Sequence, residues 1–117
     1  MKVADGVFVS NVMTDEWVAD PEVGGAMHVL VAEPDGYAGM SRFVDRDPQP
    51  WVVPVREVIV VLEGAATIEI EGGPTLELGV GDMASLPAGA RTMWRLTRPY
   101  TEVWFFPRAY EEADASA

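Results

Sequence analysis

The chain has no cysteine and a single histidine among its 117 residues, and each scarcity removes a class of chemistry. Without cysteine there are no disulfides, no thiolate metal sites and no cysteine nucleophile. His28 alone cannot build a centre of three histidines. Long apolar runs are also missing. The longest are VIVVL over 58–62 and AMHVLVA over 26–32, against the roughly 18 residues that a membrane-spanning helix needs. The N-terminal MKVADGVFVS lacks a sustained apolar stretch ending in a small-residue cleavage site, so a cytoplasmic location is expected. Positive charge is scarce too, with eight Lys and Arg against nineteen Asp and Glu and a formal net charge of −11. Such a surface repels phosphodiester backbones and anionic lipid headgroups, so neither nucleic acid nor membrane is an expected partner.

What the chain does have is short apolar segments separated by turn chemistry. GVFVSNV (6–12), AMHVLVA (26–32), GMSRFV (39–44), EVIVVLE (57–63), ATIEIE (66–71), TLEL (75–78), MASLP (83–87), TMWRL (92–96) and TEVWFF (101–106) read as strands. The breaks PEVGG, EPDGYAG, DRDPQP, EGGP, GVGD, PAGA and TRP are rich in residues that turn the chain or cannot continue a ladder. Only TDEWVADPE (14–22) suggests a helical turn, capped by Thr14 and limited by Pro21. In ATIEIE the residues Thr67, Glu69 and Glu71 share one face and Ile68 and Ile70 the other, which predicts a hairpin with one wet side. EVIVVLE is apolar on both faces apart from its terminal acids and predicts a central strand buried on both sides. The length suits one domain. The recurring short strands favour an all-β sandwich or barrel over a helical domain, with a short acidic tail after them. The edge strand GVFVSNV gives a motive for a homodimer through sheet extension.

Two segments carry a resemblance. In REVIVVLEG, Glu57 is followed by Gly64 after six residues; in GDMASLPAGARTMW, Gly81, Pro87 and Gly89 keep a G-x5-P-x-G spacing. Both resemble the signature motifs of the cupin superfamily, whose first motif carries two His before that Glu and whose second carries a His three residues after the last Gly. Here the first pair reads as Trp51 and Val53, or Pro50 and Val52 with a longer gap, and the last position is Thr92. VLEG, GD, PAG and Trp94, five residues past Gly89, are similar to small cupins related to ethanolamine-utilisation and ureidoglycine-handling proteins, many of which lack the histidines. The resemblance spans roughly residues 25–107 and implies an all-β, antiparallel double-sheet jelly-roll barrel with three of four metal ligands replaced, preceded by an N-terminal arm and edge strand (1–24) and followed by a flexible acidic tail (108–117).

In such a barrel Glu57 points inward, and alternation places Ile59 and Val61 on the same face as pocket lining. An acid among Trp and aliphatic side chains is desolvated and suited to proton transfer near neutral pH. The competing reading pairs it with Arg42 or Arg91 as a buried ion pair. Thr92 at the inward ligand position makes Trp94 and Leu96 inward as well; Trp51 and Trp94 then either sandwich a ligand or fill the vacated space. His28 can act as a base across the barrel from Glu57 or be a hydrogen-bonded strand histidine. Arg42 and Arg91 are candidate anchors for a substrate acid, and Tyr37 a residue that closes the mouth. No cofactor and no metal are expected. The leading expectation is a metal-independent cupin that binds a small organic metabolite and isomerises, cyclises or cleaves it with Glu57 as acid or base. A non-catalytic binding or sensor module is the alternative. A metal enzyme built on Glu57 and His28 with oxygen ligands is a third.

Overall fold

The computed structural model describes residues 1–20, 25–43 and 48–110. Among them every regular element is a strand. The chain begins with a two-stranded hairpin, β1 (Lys2–Ala4) on β2 (Val7–Phe8), and then builds an antiparallel sheet. Its strands are β3 (Val18–Asp20), β4 (Gly25–Glu33), β5 (Gly36–Phe43), β6 (Gln49–Val52), β7 (Glu57–Ile70), β8 (Thr75–Leu78), β9 (Met83–Leu86) and β10 (Arg91–Phe106). They pair in the order β3-β4-β5-β10-β7-β8, with β6 added on β10 and β9 on β7.

Two long strands close the barrel. The first half of β7 lies between β9 and the second half of β10; its second half lies between β8 and the first half of β10. β10 likewise exchanges β6 for β5 as its outer neighbour. The change occurs where the β7–β10 register shifts, between Thr97 and Thr101 opposite Gly64. Gly64 has φ +79°, and a Cβ there would run into the carbonyl oxygens of Thr97 and Pro99. Only glycine combines that dihedral with that backbone approach. Gly64→Ala is therefore expected to lower the unfolding free energy by about 1–3 kcal/mol from backbone strain alone, measurable as a lower denaturant midpoint.

Several sequence-based expectations change at this level. EVIVVLE and ATIEIE are one strand, as are TMWRL and TEVWFF, because the TRP segment carries a bulge instead of a turn. GVFVSNV contributes only Val7–Phe8, and to the N-terminal hairpin; the barrel sheet ends on β3 and β8 among the described residues. No helical turn forms at Thr14: its Oγ1 accepts the backbone N–H of Glu16 at 3.1 Å and the chain runs on into β3. DRDPQP, read as a break, yields β6 from its last two residues. Pro21 and most of PEVGG, Val44 to Asp47, and the tail from Glu111 lie outside the described residues.

The alternation holds. Glu57, Ile59 and Val61 are buried along β7, while Val58, Val60 and Leu62 are half-buried, so one face is dry and the other is only partly covered. On the wet face Thr67 Oγ1 donates to Glu77 Oε2 at 2.8 Å and Arg95 pairs with Glu69 at 3.0 Å. The core of Val53, Ile59, Val61, Ile68, Leu86 and Tyr100 is almost wholly sealed from solvent. Apolar side chains at Val3, Val7, Val9, Val12 and Met13 remain exposed along the arm.

Candidate functional site

The inward faces of β5, β6, β7 and β10 surround a cavity of about 140 Å³. Glu57, the first residue of β7, is 5% exposed in its wall, and Trp51 from β6 donates its indole Nε1–H to Glu57 Oε1 at 3.0 Å. Across the sheet, Glu102 on β10 pairs in register with Val61 and is 4% exposed. Ile59 opposite Trp104 lies between these two levels. The period of two along EVIVV and along EVWFF thus turns two buried acids toward one cavity.

Aromatic rings complete the wall. Tyr37 stands 4.7 Å from Trp104 and 5.7 Å from Phe106, centroid to centroid, and Tyr110 meets Phe106 at 4.9 Å and Trp51 at 6.3 Å. Trp94 lies on the wall from the first half of β10. Its Nε1–H donates to Thr92 Oγ1 at 2.8 Å, and that hydroxyl donates to the Trp51 carbonyl at 2.6 Å. Trp104 Nε1–H donates to Ser41 Oγ at 2.8 Å. All three indole N–H groups of the cavity are therefore spent on the protein, and the rings offer hydrocarbon and π surface. Gln49 Oε1 is sealed from solvent without a hydrogen-bond partner in the same wall.

The electrostatics follow from burial. Desolvation, offset in part by the Trp51 hydrogen bond, raises the Glu57 carboxyl from its ordinary 4.5 to about 7. Glu102 is held well above the usual carboxylate range, first by burial and then by the charge of Glu57. Tyr100, whose hydroxyl is buried without a regular hydrogen bond but lies beside Glu102, is raised as well. Tyr37 is raised by burial and by Asp20, which also faces the cavity. Two neighbouring acids therefore keep their protons to higher pH than ordinary carboxyls do.

The sequence-derived candidates divide cleanly. Glu57, Trp51, Trp94 and Tyr37 meet at the cavity. Thr92 stands behind the wall as the bridge between Trp94 and the Trp51 carbonyl. Ile59 and Val61 share the Glu57 face as expected but are sealed core and do not line the cavity. His28 faces away from it. Its Nε2 is 2.7 Å from Ser10 Oγ and its Nδ1 is 2.8 Å from the Glu16 carbonyl oxygen, so it fastens the arm to β4 while its neighbour Met27 faces the cavity. A base across the barrel from Glu57 is thereby excluded. Arg42 is exposed and stacks its guanidinium 4.2 Å from the Trp17 ring centroid, and Arg91 lies exposed beside a surface groove with Glu69 and Glu71. Neither reaches Glu57, so both the ion-pair reading and the substrate-anchor reading fail for these two arginines. Sequence reasoning missed Glu102, Trp104 and Phe106, although the alternation in TEVWFF puts an acid and two aromatics on one face.

A metal of the kind cupins hold does not fit these side chains. Val53 is core, Thr92 Oγ1 is fully engaged, and Trp51 aims an N–H donor at the carboxylate that a metal would need. Among the described residues no three His, Cys, Asp or Glu lie close enough to ligate one ion.

Comparison with known proteins agrees with this geometry. The barrel resembles that of KdgF from Halomonas sp., with 26% identity over 88% of this chain and 94% of that one and a TM-score of 0.66. It also resembles an RmlC-like cupin from Shewanella frigidimarina (18% identity, 89% and 93% covered, TM-score 0.71). A third likeness is to a structure described as ethanolamine utilization protein Q from Salmonella typhimurium LT2 (22%, 74% and 71%, TM-score 0.65). No curated protein sequence matches the chain. The model of the EutQ-like cupin domain matches residues 48–109, more than half of the chain, and takes in both motif segments and most of the cavity wall. With its jelly-roll strands, its cupin spacings and that match in agreement, the chain belongs to the EutQ-like cupin domain family.

Proposed function

We propose that this protein binds a small organic metabolite inside the barrel and moves a proton on it through Glu57, without a metal. The observation that supports the reading is a buried carboxyl raised to about 7 in the wall of an aromatic cavity. At neutral pH such a group is populated in both states, so it can take a proton in one step and return it in another. Isomerisation, cyclisation, dehydration and elimination need no more than that in a dry site. The Trp51 N–H holds one oxygen of Glu57 and leaves the other for the ligand. Burial sets the proton affinity of Glu57, and the charge of Glu57 in turn raises that of Glu102.

Glu57→Gln keeps the shape and removes the titration. Turnover of the metabolite should fall by about 10²–10⁴-fold while its binding persists. Retained turnover would retire the acid–base role, and binding with no turnover in either protein would establish a non-catalytic module instead. The reading extends to assembly: a second copy of the chain would cover the apolar arm and the open edge at β3, where Val18 is also exposed. Light scattering should then give twice the monomer mass of 12.7 kDa, and a monomer at micromolar concentration would contradict it.

A further inference from the structure

We infer that the ligand taken by this barrel is a small organic cation, carrying an alkylated ammonium or a group of similar size and charge. The inference rests on the cavity being the ligand site and goes on to its chemical class. The first support is the balance of donors and acceptors. The three indole N–H groups of the wall are all bonded to protein. What faces inward includes three acids, Glu57, Glu102 and Asp20, and the buried, unpartnered Gln49 Oε1. No Arg, Lys or His lines the cavity among the described residues. A carboxylate or phosphate ligand would meet acids and no counter-ion.

The second support is the aromatic wall. Trp51, Tyr110, Phe106, Trp104 and Tyr37 form a chain of touching rings facing the acids. Ring faces attract a cation through their quadrupole, most strongly when water is excluded. An alkylated ammonium has the apolar surface to suit such a wall and the charge to suit the acids. Its charge also offsets the cost of ionising Glu102 beside Glu57. The net charge of −11 draws cations toward the barrel and turns anions away.

The test compares choline with 3,3-dimethylbutan-1-ol, its uncharged carbon isostere, by calorimetry at fixed ionic strength and pH 7.5, with indole fluorescence as a second readout. Choline should bind at least roughly tenfold more tightly than the isostere, and Asp20→Asn, which removes an acid from the cavity wall, should narrow that gap. The wild-type comparison stands even if that variant folds poorly. Equal or tighter binding of the isostere would overturn the inference, as would binding of glycolate or erythritol in preference to choline, or no response to choline at millimolar concentration. Those results leave the acid–base reading intact if Glu57→Gln still abolishes turnover of an uncharged metabolite, so the two claims fail separately.

Discussion

Unfolding of this protein is expected to become harder as the pH is lowered from 8 to about 5, the reverse of the usual acid sensitivity. The cause is the pair of buried acids. A carboxyl whose folded pKa lies above its unfolded value holds its proton more tightly in the native state. Between the two values the native state therefore carries more protons than the unfolded chain, and stability falls as pH rises. For Glu57 the window runs from its ordinary 4.5 to about 7, and the loss across it is about 3 kcal/mol. Glu102, shifted in the same direction, adds to the decline. Urea denaturation at pH 5, 6, 7 and 8 measures the slope directly. Glu57→Gln and Glu102→Gln should each flatten the profile and raise the midpoint at pH 8, since a neutral amide in place of a buried acid removes the charge that burial penalises. Each variant alters one charge of the net −11, so general self-repulsion cannot produce the same flattening. A wild-type profile that rises toward pH 8 would contradict the burial argument.

Trp104→Ala should cost about 3–5 kcal/mol, the usual range for removing a buried aromatic side chain. The indole is 5% exposed, packs against Tyr37 and Phe106, and donates to Ser41 Oγ. Its six-membered ring lies directly over Gly39, its register partner on β5, where a Cβ would stand 3.0 Å from Cζ2. The wall has been cut to receive this ring, so its loss leaves a void that β5 cannot close. Trp104→Phe should recover most of the stability and leave only Ser41 short of a partner. Thermal or urea melts at pH 6 distinguish the two; a loss below about 1 kcal/mol for the alanine variant would mean that the wall collapses freely.

Much of this barrel is written in local sequence. The six-residue gap from Glu57 to Gly64 is legible because Gly64 occupies the corner where β7 passes between neighbours, and φ +79° there demands glycine. The inward set Thr92, Trp94 and Leu96 is legible because pleating has a period of two. Long-range pairing is less legible. Nothing near His28 signals that Ser10 and Glu16 will fasten it outside the barrel. Arg42 turned to Trp17 because a ring from the arm, 25 residues upstream, was available on the outer face. Glu102 was hidden for a different reason: an acid in an apolar strand reads as an exposed position until the register with Val61 fixes which face is inside. The first half of β6 reads as part of a break because Pro50 forbids a ladder donor, yet an added strand beside β10 tolerates it.

The proton inventory of the two acids is the most direct test of the account. The chain is small enough for carboxyl carbon NMR on protein labelled at glutamate, followed from pH 4 to 10 with Glu57→Gln and Glu102→Gln supplying the assignments. The account expects one carboxyl to titrate near 7 and the other well above the ordinary carboxylate range. If both resonances complete their shift below about pH 5, as solvated carboxyls do, the dry acid pair does not exist, and the proton-transfer reading falls with it.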